Sequence, residues 1–186
     1  QSIAYFDIDV KNLQIDFLSC SAHKFHGPKG IGFLYAKESL NLTGYILGGN
    51  QEKGLRGGTE NTVGVIGLEK ALLESKNKKG FEVLFELKQY LINKLEKNNF
   101  DYSINGSLNS SPSILNISFQ TERDVSMLLF NLDLEGIAIS GGSACTSGGS
   151  KGSHVLKHIG TSMENPAIRI SFSTLNTKEE IDQLVA

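Results

Sequence analysis

The hydrophobic and polar positions divide the chain into two regions with different patterns. In the first region, apolar runs at 16–21 and 30–36 predict two buried strands that are neighbours in a larger sheet, with a turn at Gly27-Pro28 between them. Glycines concentrate over 41–60 and predict a loop with little regular structure, and a helix is expected from Glu60 to about Ser75. The lysine-rich residues 76–80 then predict a solvated turn and a domain boundary.

From Phe81 onward the pattern predicts a compact α/β unit. Apolar residues recur at helical spacing from Phe81 to Leu95, including Phe85, although Lys88 stands at one of the apolar positions. Further strands are predicted at 113–119, 137–140 and 167–172, and further helices over 121–136 and 153–159 and from Thr177 to the end. The helices that begin at Thr121 and Thr177 each have an acidic residue three positions later, which is typical of a capping box.

Composition narrows the classes of function. The chain has 186 residues, 39% of them hydrophobic, enough for one domain or one and a half with a sizeable core. Its net charge of −2 gives no basic surface for nucleic acid or a membrane, and no apolar stretch approaches the roughly 18 residues that span a bilayer. Two cysteines in very different contexts argue against a disulfide framework and for a reducing, cytoplasmic location.

Lys24 lies on the turn between the two predicted strands of the first region. An ammonium held against a core costs free energy unless it is paired or neutralised, and an imine with an aldehyde cofactor would neutralise it. Ser21 and His23 beside it offer a hydroxyl and an imidazole that could hold a phosphate or an aromatic ring. The alternative is an ordinary turn whose lysine extends into solvent.

Cys145 is surrounded by glycines and hydroxyl residues, which predicts an exposed thiol on a mobile loop. Such a thiol is a candidate nucleophile, whereas Cys20, within a predicted strand, is expected to be a packing residue. A metal site is a rival hypothesis, because Cys145 could join the histidine pairs His23/His26 and His154/His158, but no closely spaced pair of cysteines accompanies them.

Arg169 lies inside a predicted strand with apolar neighbours. A guanidinium there needs a buried acidic partner or an anionic ligand. A structural salt bridge and a ligand contact are therefore both open, and the role of Arg56 is undetermined.

Three stretches together resemble one family: Ser21 to Tyr35 (SAHKFHGPKGIGFLY), Gly48 to Asn61 (GGNQEKGLRGGTEN) and Ser140 to Ser147 (SGGSACTS). The family is that of the cysteine desulfurases, pyridoxal phosphate enzymes of the class V aminotransferase superfamily and fold type I. The resemblance covers the whole chain but only the second half of the family's length. It implies an α/β fold in which 1–76 is the end of the large cofactor domain with the crossover segment, and 77–186 is a small α/β domain carrying the catalytic cysteine loop.

The resemblance also implies roles for individual residues. Lys24 would carry pyridoxal phosphate as an imine and move protons, with His23 as a further catalytic residue. The remaining implied contacts are Ser21 and His23 on the cofactor phosphate, Gln1 on its phenolic oxygen, Thr59 on the phosphate of the other subunit of a homodimer, and Arg169 on the substrate α-carboxylate. Without the resemblance, Thr59 is equally well interpreted as a helix N-cap before Glu60.

In the implied reaction, Cys145 attacks the sulfur of L-cysteine, which leaves a persulfide on the enzyme and releases L-alanine. The segment after Cys145 resembles the long type that serves iron–sulfur cluster scaffolds and tRNA thiolation, and Cys145 would be at most a transient iron–sulfur ligand. Alternatives are another class V enzyme, such as an aminotransferase or selenocysteine lyase, or a non-catalytic sulfur-carrying module. Because the aspartate for the pyridine nitrogen would precede Gln1, the isolated chain is expected to bind the cofactor weakly and turn over little.

Overall fold

The computed structural model describes residues 1–76, 78–120, 127–141, 153–161 and 165–186. The chain forms two compact units, Gln1–Asn77 and Lys78–Ala186. The first unit contains strands β1 (Phe17–Ser21) and β2 (Gly32–Ala36) and helix α1 (Thr62–Ser75). The second contains α2 (Lys78–Lys97), β3 (Tyr102–Ile104), β4 (Ile114–Phe119), α3 (Leu128–Leu134), β5 (Ser140–Gly141), α4 (His154–His158), β6 (Ala167–Ser171) and α5 (Lys178–Val185).

In the first unit, β1 and β2 pair antiparallel, with Cys20 opposite Phe33. The sequence correctly predicted that these strands are neighbours, but the prediction of buried runs was wrong for both. Cys20 is the one buried residue of β1, where Phe17 is 51% exposed, and β2 has no buried residue, with Leu34 60% exposed. The described residues of this unit supply two strands, so each strand has few neighbours to cover it. The core consists of Ala4, Cys20, Ala22 and Phe25, with partly buried residues of α1 packed against it.

Helix α1 begins two residues later than predicted, because Asn61 provides its N-cap. The side-chain oxygen of Asn61 accepts a hydrogen bond from the backbone N–H of Gly64 at 3.0 Å. Gly67 allows the helix to approach the turn between β1 and β2, since a Cβ at this position would lie 2.5 Å from Pro28 Cγ. The bare backbone of Gly67 therefore sets how closely α1 packs in this unit.

The second unit is built on a four-stranded sheet with strand order β3-β4-β6-β5 and antiparallel pairing throughout. Side chains alternate across β4, so Leu115 and Ile117 lie on one face and Asn116 and Ser118 on the other. Helix α2 packs against α5. Between them, Asp182 forms an ion pair with Lys94 at 2.6 Å and accepts a hydrogen bond from the Tyr90 hydroxyl at 3.0 Å. The short strand β3 was not predicted from the sequence.

The buried stripe of α2 differs from the predicted one. Phe81 and Phe85 are 38% and 42% exposed, whereas Leu87 and Lys88 are buried together with Leu84 and Leu91. Lys88 is only 1% exposed, and its ammonium donates to Ser110 Oγ at 3.2 Å and to the Ser111 carbonyl at 3.3 Å. Burial lowers the pKa of Lys88.

A hydrogen-bonded network follows the polar face of the sheet. The Asn105 amide donates to Asn116 Oδ1 at 2.6 Å and to Ser118 Oγ at 2.8 Å, and its oxygen accepts from the Thr161 hydroxyl at 3.1 Å. Ser118 is completely buried, so its hydroxyl oxygen has no access to water and the hydrogen bond from Asn105 provides its partner. Asn105 and Thr161 also line a polar cleft of about 340 Å³.

The capping box predicted for the last helix is confirmed. The Thr177 hydroxyl accepts from the Glu180 N–H at 3.3 Å, and the Glu180 carboxylate accepts from the Thr177 N–H at 3.0 Å. The capping box predicted at Thr121 and Asp124 lies outside the described residues, as does most of the loop around Cys145. Within the described ranges, no helix has the length and apolar content needed to cross a membrane.

Candidate active site

The turn between β1 and β2 is a short 3₁₀ helix, Ala22–Phe25. Ala22 is completely buried and Phe25 is 2% exposed, so these two residues anchor the turn in the core of the first unit. The backbone fixes it further, because Ala22 N–H donates to the Ile31 carbonyl at 3.1 Å and Gly27 N–H donates to the Ala22 carbonyl at 2.9 Å. The turn is therefore held at both ends by packing and main-chain hydrogen bonds.

Ser21 at the end of β1 and His23 and Lys24 within the 3₁₀ helix are exposed, as is His26, which follows the helix. The sequence predicted that the Lys24 ammonium would be held against a core, and this was wrong, because the anchoring positions are taken by Ala22 and Phe25. None of the side chains of Ser21, His23 and Lys24 makes a hydrogen bond or ion pair with any residue in the described part of the chain. A well-anchored backbone thus presents an amine, an imidazole and a hydroxyl that have no partner among the residues described.

This donor set fits pyridoxal phosphate. Its aldehyde requires an accessible amine, which Lys24 provides, and its phosphate requires hydrogen-bond donors such as a hydroxyl and an imidazole. These three groups belong to four consecutive residues, and all three are exposed.

Gln1 and Thr59 are also exposed and lie in the same unit. Gln1 precedes a 3₁₀ helix at Ser2–Ala4, and Thr59 precedes α1. The interpretation of Thr59 as the N-cap of α1 was wrong, because Asn61 occupies that position. Arg56, whose role was undetermined, donates to the Gly57 carbonyl at 2.8 Å.

Arg169 lies at the centre of β6, and its cross-strand neighbours are Asn116 on β4 and Ser140 on β5. Its Nη2 donates to Ser140 Oγ at 3.3 Å, while its Nε is buried with no hydrogen-bond partner among the described residues. No carboxylate in the described ranges forms an ion pair with Arg169. A buried guanidinium donor that has no partner within the described ranges is a group that an anionic ligand would satisfy.

The two cysteines lie in different parts of the fold, Cys20 in β1 and Cys145 after β5. Cys20 is 6% exposed, which confirms the packing prediction, and burial raises the pKa of its thiol. Cys145 lies outside the described residues, four positions after the end of β5 at Gly141. The described ranges contain no group of three or more histidine, cysteine, aspartate or glutamate side chains placed to hold a metal.

The sequence did not identify Ser140 or Lys88 as residues of interest for the site or the core. Ser140 belongs to the third matching stretch, but its contact with Arg169 depends on the register of β5 against β6. Such a register cannot be obtained from a two-residue strand in a glycine-rich segment.

The chain belongs to the class-V aminotransferase family, whose model matches residues 1–184. Proteins of this family depend on pyridoxal phosphate. The α/β architecture matches the C-terminal part of a fold type I enzyme.

Individual proteins that are similar to this chain carry more specific names than the family. The chain is 42% identical to a cysteine desulfurase IscS of Clostridium botulinum (strain Hall) over 193 residues, covering 100% of this chain and 48% of the relative. Among solved structures, a NifS-like protein superposes with a TM-score of 0.84 at 33% identity, covering 100% of this chain and 48% of the other. SspA in complex with cysteine superposes with a TM-score of 0.72 at 33% identity, covering 95% and 49%. The chain thus spans about half the length of the relatives it matches.

Proposed function

We propose that this chain is part of a pyridoxal phosphate-dependent cysteine desulfurase, which takes sulfur from L-cysteine and releases L-alanine. The observation that supports this most is the anchored turn, where Ser21, His23 and Lys24 are exposed and unpaired within the described residues. The similarity to cysteine desulfurases along the whole chain supports the same reaction. In this proposal, 1–76 belongs to the cofactor domain and 77–186 is the small domain.

The residues of the first unit hold the cofactor. Lys24 attaches it covalently through its amine and carries protons, while Ser21 and His23 hydrogen-bond its phosphate. Gln1 binds its phenolic oxygen, and Thr59 reaches the phosphate held by a second copy of the chain, so the working form is a homodimer. The cofactor, when bound, withdraws electrons from the substrate.

Arg169 binds the α-carboxylate of L-cysteine. The buried Nε, which has no partner in the part of the chain that the structure describes, supports this assignment, because a guanidinium binds a carboxylate through two parallel N–H donors. A solved relative, SspA, is found in complex with cysteine, which supports the same substrate here.

Cys145 receives the sulfur. Its thiolate attacks the sulfur of L-cysteine, a new S–S bond forms and the C–S bond of the substrate breaks. The electron pair of the broken bond stays with carbon, which takes a proton to give alanine, so no external oxidant is needed. The persulfide then passes its sulfur to an acceptor protein of iron–sulfur cluster assembly or tRNA thiolation in the cytoplasm, with Cys145 at most a transient iron–sulfur ligand.

The proposal is tested by locating the sulfur atom that L-cysteine loses. Because the chain spans about half the length of its relatives, we expect it alone to bind the cofactor weakly and turn over little. The chain is therefore refolded with the other half of the Clostridium botulinum relative, loaded with pyridoxal phosphate and given L-cysteine. We expect a Cys145 peptide one sulfur atom heavier, an unchanged Cys20 peptide and no alanine from Cys145→Ser.

Two results would contradict the proposal. Alanine release that survives Cys145→Ser would remove the thiol from the reaction. Transfer of the amino group to a keto acid, with no persulfide, would identify an aminotransferase instead.

A further inference from the structure

We propose that Ser140 is a positioning residue for Arg169, and that its hydroxyl orients the guanidinium so that a substrate carboxylate can bind. This inference rests on the proposed function, since it adds a residue to the same carboxylate site. It concerns a contact within the second unit alone, between β5 and β6.

The register of the sheet places Arg169 between two polar neighbours. Asn116 lies opposite it on β4 and Ser140 opposite it on β5. The amide oxygen of Asn116 already accepts a hydrogen bond from Asn105 at 2.6 Å. In the described ranges, the side chain that accepts from the guanidinium is therefore that of Ser140, at 3.3 Å.

One bond at Nη2 is enough to orient the whole group, because a guanidinium is rigid and planar. When Nη2 is directed at Ser140, the direction of the Nε–H follows from it. That Nε is buried and has no partner in the described part of the chain. A carboxylate needs two neighbouring N–H donors in a fixed plane, so the orientation set by Ser140 determines whether the carboxylate binds through both oxygens.

A serine suits this task better than an acid would. Its hydroxyl is neutral, so it accepts one hydrogen bond and leaves the positive charge of Arg169 available to the ligand. An aspartate at position 140 would form an ion pair with the guanidinium and compete with the substrate carboxylate.

The experiment measures carboxylate binding directly, without turnover. The chain is labelled with ¹⁵N in its arginine side chains, and the Arg169 Nε–H resonance is followed while L-alanine is added. Ethylamine, which lacks the carboxylate, serves as the ligand control. We expect the resonance to shift with L-alanine and not with ethylamine.

The Ser140 variants separate positioning from a merely structural role. Ser140→Ala should weaken L-alanine binding about tenfold, the effect of one hydrogen bond to a charged group. Ser140→Thr, which keeps the hydroxyl, should restore binding to within about twofold, and Ser140→Asp should abolish it. Ser103→Ala on β3, the strand at the opposite edge of the sheet, is the matched control and should leave binding unchanged. Backbone amide spectra of β6 report whether each variant retains the fold.

The outcomes distinguish this inference from the proposed function. If Arg169→Lys loses L-alanine binding but Ser140→Ala binds as tightly as the parent chain, the role of Ser140 is wrong and the substrate site stands. If the parent chain shows no carboxylate-dependent shift, or Arg169→Lys binds like the parent, the carboxylate site and the role of Ser140 both fail. Equal weakening by Ser140→Ala and Ser140→Thr would also overturn the positioning role.

Discussion

Replacing Asn105 by alanine tests the polar face of the sheet on which Arg169 lies. The Asn105 side chain makes three hydrogen bonds, to Asn116, Ser118 and Thr161. Thr161 borders the polar cleft and can turn to water, so the loss of its bond is small. Ser118 is fully buried, and Asn116 is partly buried, so their oxygens lose a donor that water replaces poorly.

The expected cost follows from those two bonds. Each lost bond to a buried neutral oxygen costs about 1 to 1.5 kcal/mol, so Asn105→Ala should lower the free energy of unfolding of the second unit by about 2–3 kcal/mol. The assay is amide hydrogen exchange of β4, which reports the opening of this sheet separately from the first unit. Asn109→Ala, an exposed asparagine of the following loop, is the matched control and should cost less than about 0.5 kcal/mol.

A double-mutant cycle with Ser118→Ala identifies the contact. The Asn105–Ser118 bond of 2.8 Å predicts a coupling energy of about 1 kcal/mol between the two changes. If Asn105→Ala costs no more than Asn109→Ala, or if the two changes are additive, the network does not stabilise the sheet and the reasoning is refuted.

Three further predictions concern the stability of the elements that carry the site. Burial lowers the pKa of Lys88, so between the folded pKa and the unfolded value of about 10.4 the unfolded chain binds more protons than the folded chain. The free energy of unfolding should therefore rise with pH over this interval, by about 1.4 kcal/mol for each unit by which the pKa is lowered. Urea unfolding from pH 7 to 10 should show this rise in the parent chain and not in Lys88→Met, and parallel profiles would contradict it. Thr177→Ala should destabilise the second unit by about 1 kcal/mol, because α5 loses its N-cap. Urea unfolding measures this loss against the non-capping control Thr174→Ala, and equal effects of the two changes would argue against the capping box. Gly67→Ala should destabilise the first unit by about 1–3 kcal/mol in thermal unfolding, because the new Cβ meets Pro28. The control is Gly80→Ala, whose Cβ would lie an ordinary 3.5 Å from Thr174 and which should stabilise α2 by up to about 1 kcal/mol. A stabilising effect of Gly67→Ala would show that α1 is not held close to Pro28.

Much of the fold could be predicted from local patterns. The capping residues of α5 and the existence of strand β4 depend on neighbours a few positions apart, and both were predicted correctly. Periodicity placed Lys88 on the apolar face of α2 but could not predict its burial, because its ammonium is satisfied by Ser110 and Ser111, which are distant in sequence. A residue whose burial depends on such distant partners cannot be placed from periodicity alone.

The candidate site shows the same contrast between what local sequence predicts and what depends on tertiary packing. Ser21, His23 and Lys24 are adjacent in sequence, so their grouping could be predicted, but the exposure of Lys24 depends on how Ala22 and Phe25 pack. The contact between Ser140 and Arg169 depends on the pairing of two strands 29 residues apart. Local sequence thus identified the chemical groups, and tertiary packing determined how they are presented.

The attachment of pyridoxal phosphate to Lys24 is the claim on which the proposed function depends most directly. The protein is incubated with millimolar pyridoxal phosphate, reduced with borohydride and mapped by peptide mass spectrometry, with the exposed Lys29 of the same segment as the internal control. We expect Lys24 to carry the phosphopyridoxyl group well in excess of Lys29, and Ser21→Ala and His23→Ala to reduce that excess because the phosphate loses its donors. Labelling of Lys24 no greater than that of Lys29, or labelling insensitive to Ser21 and His23, would contradict the account.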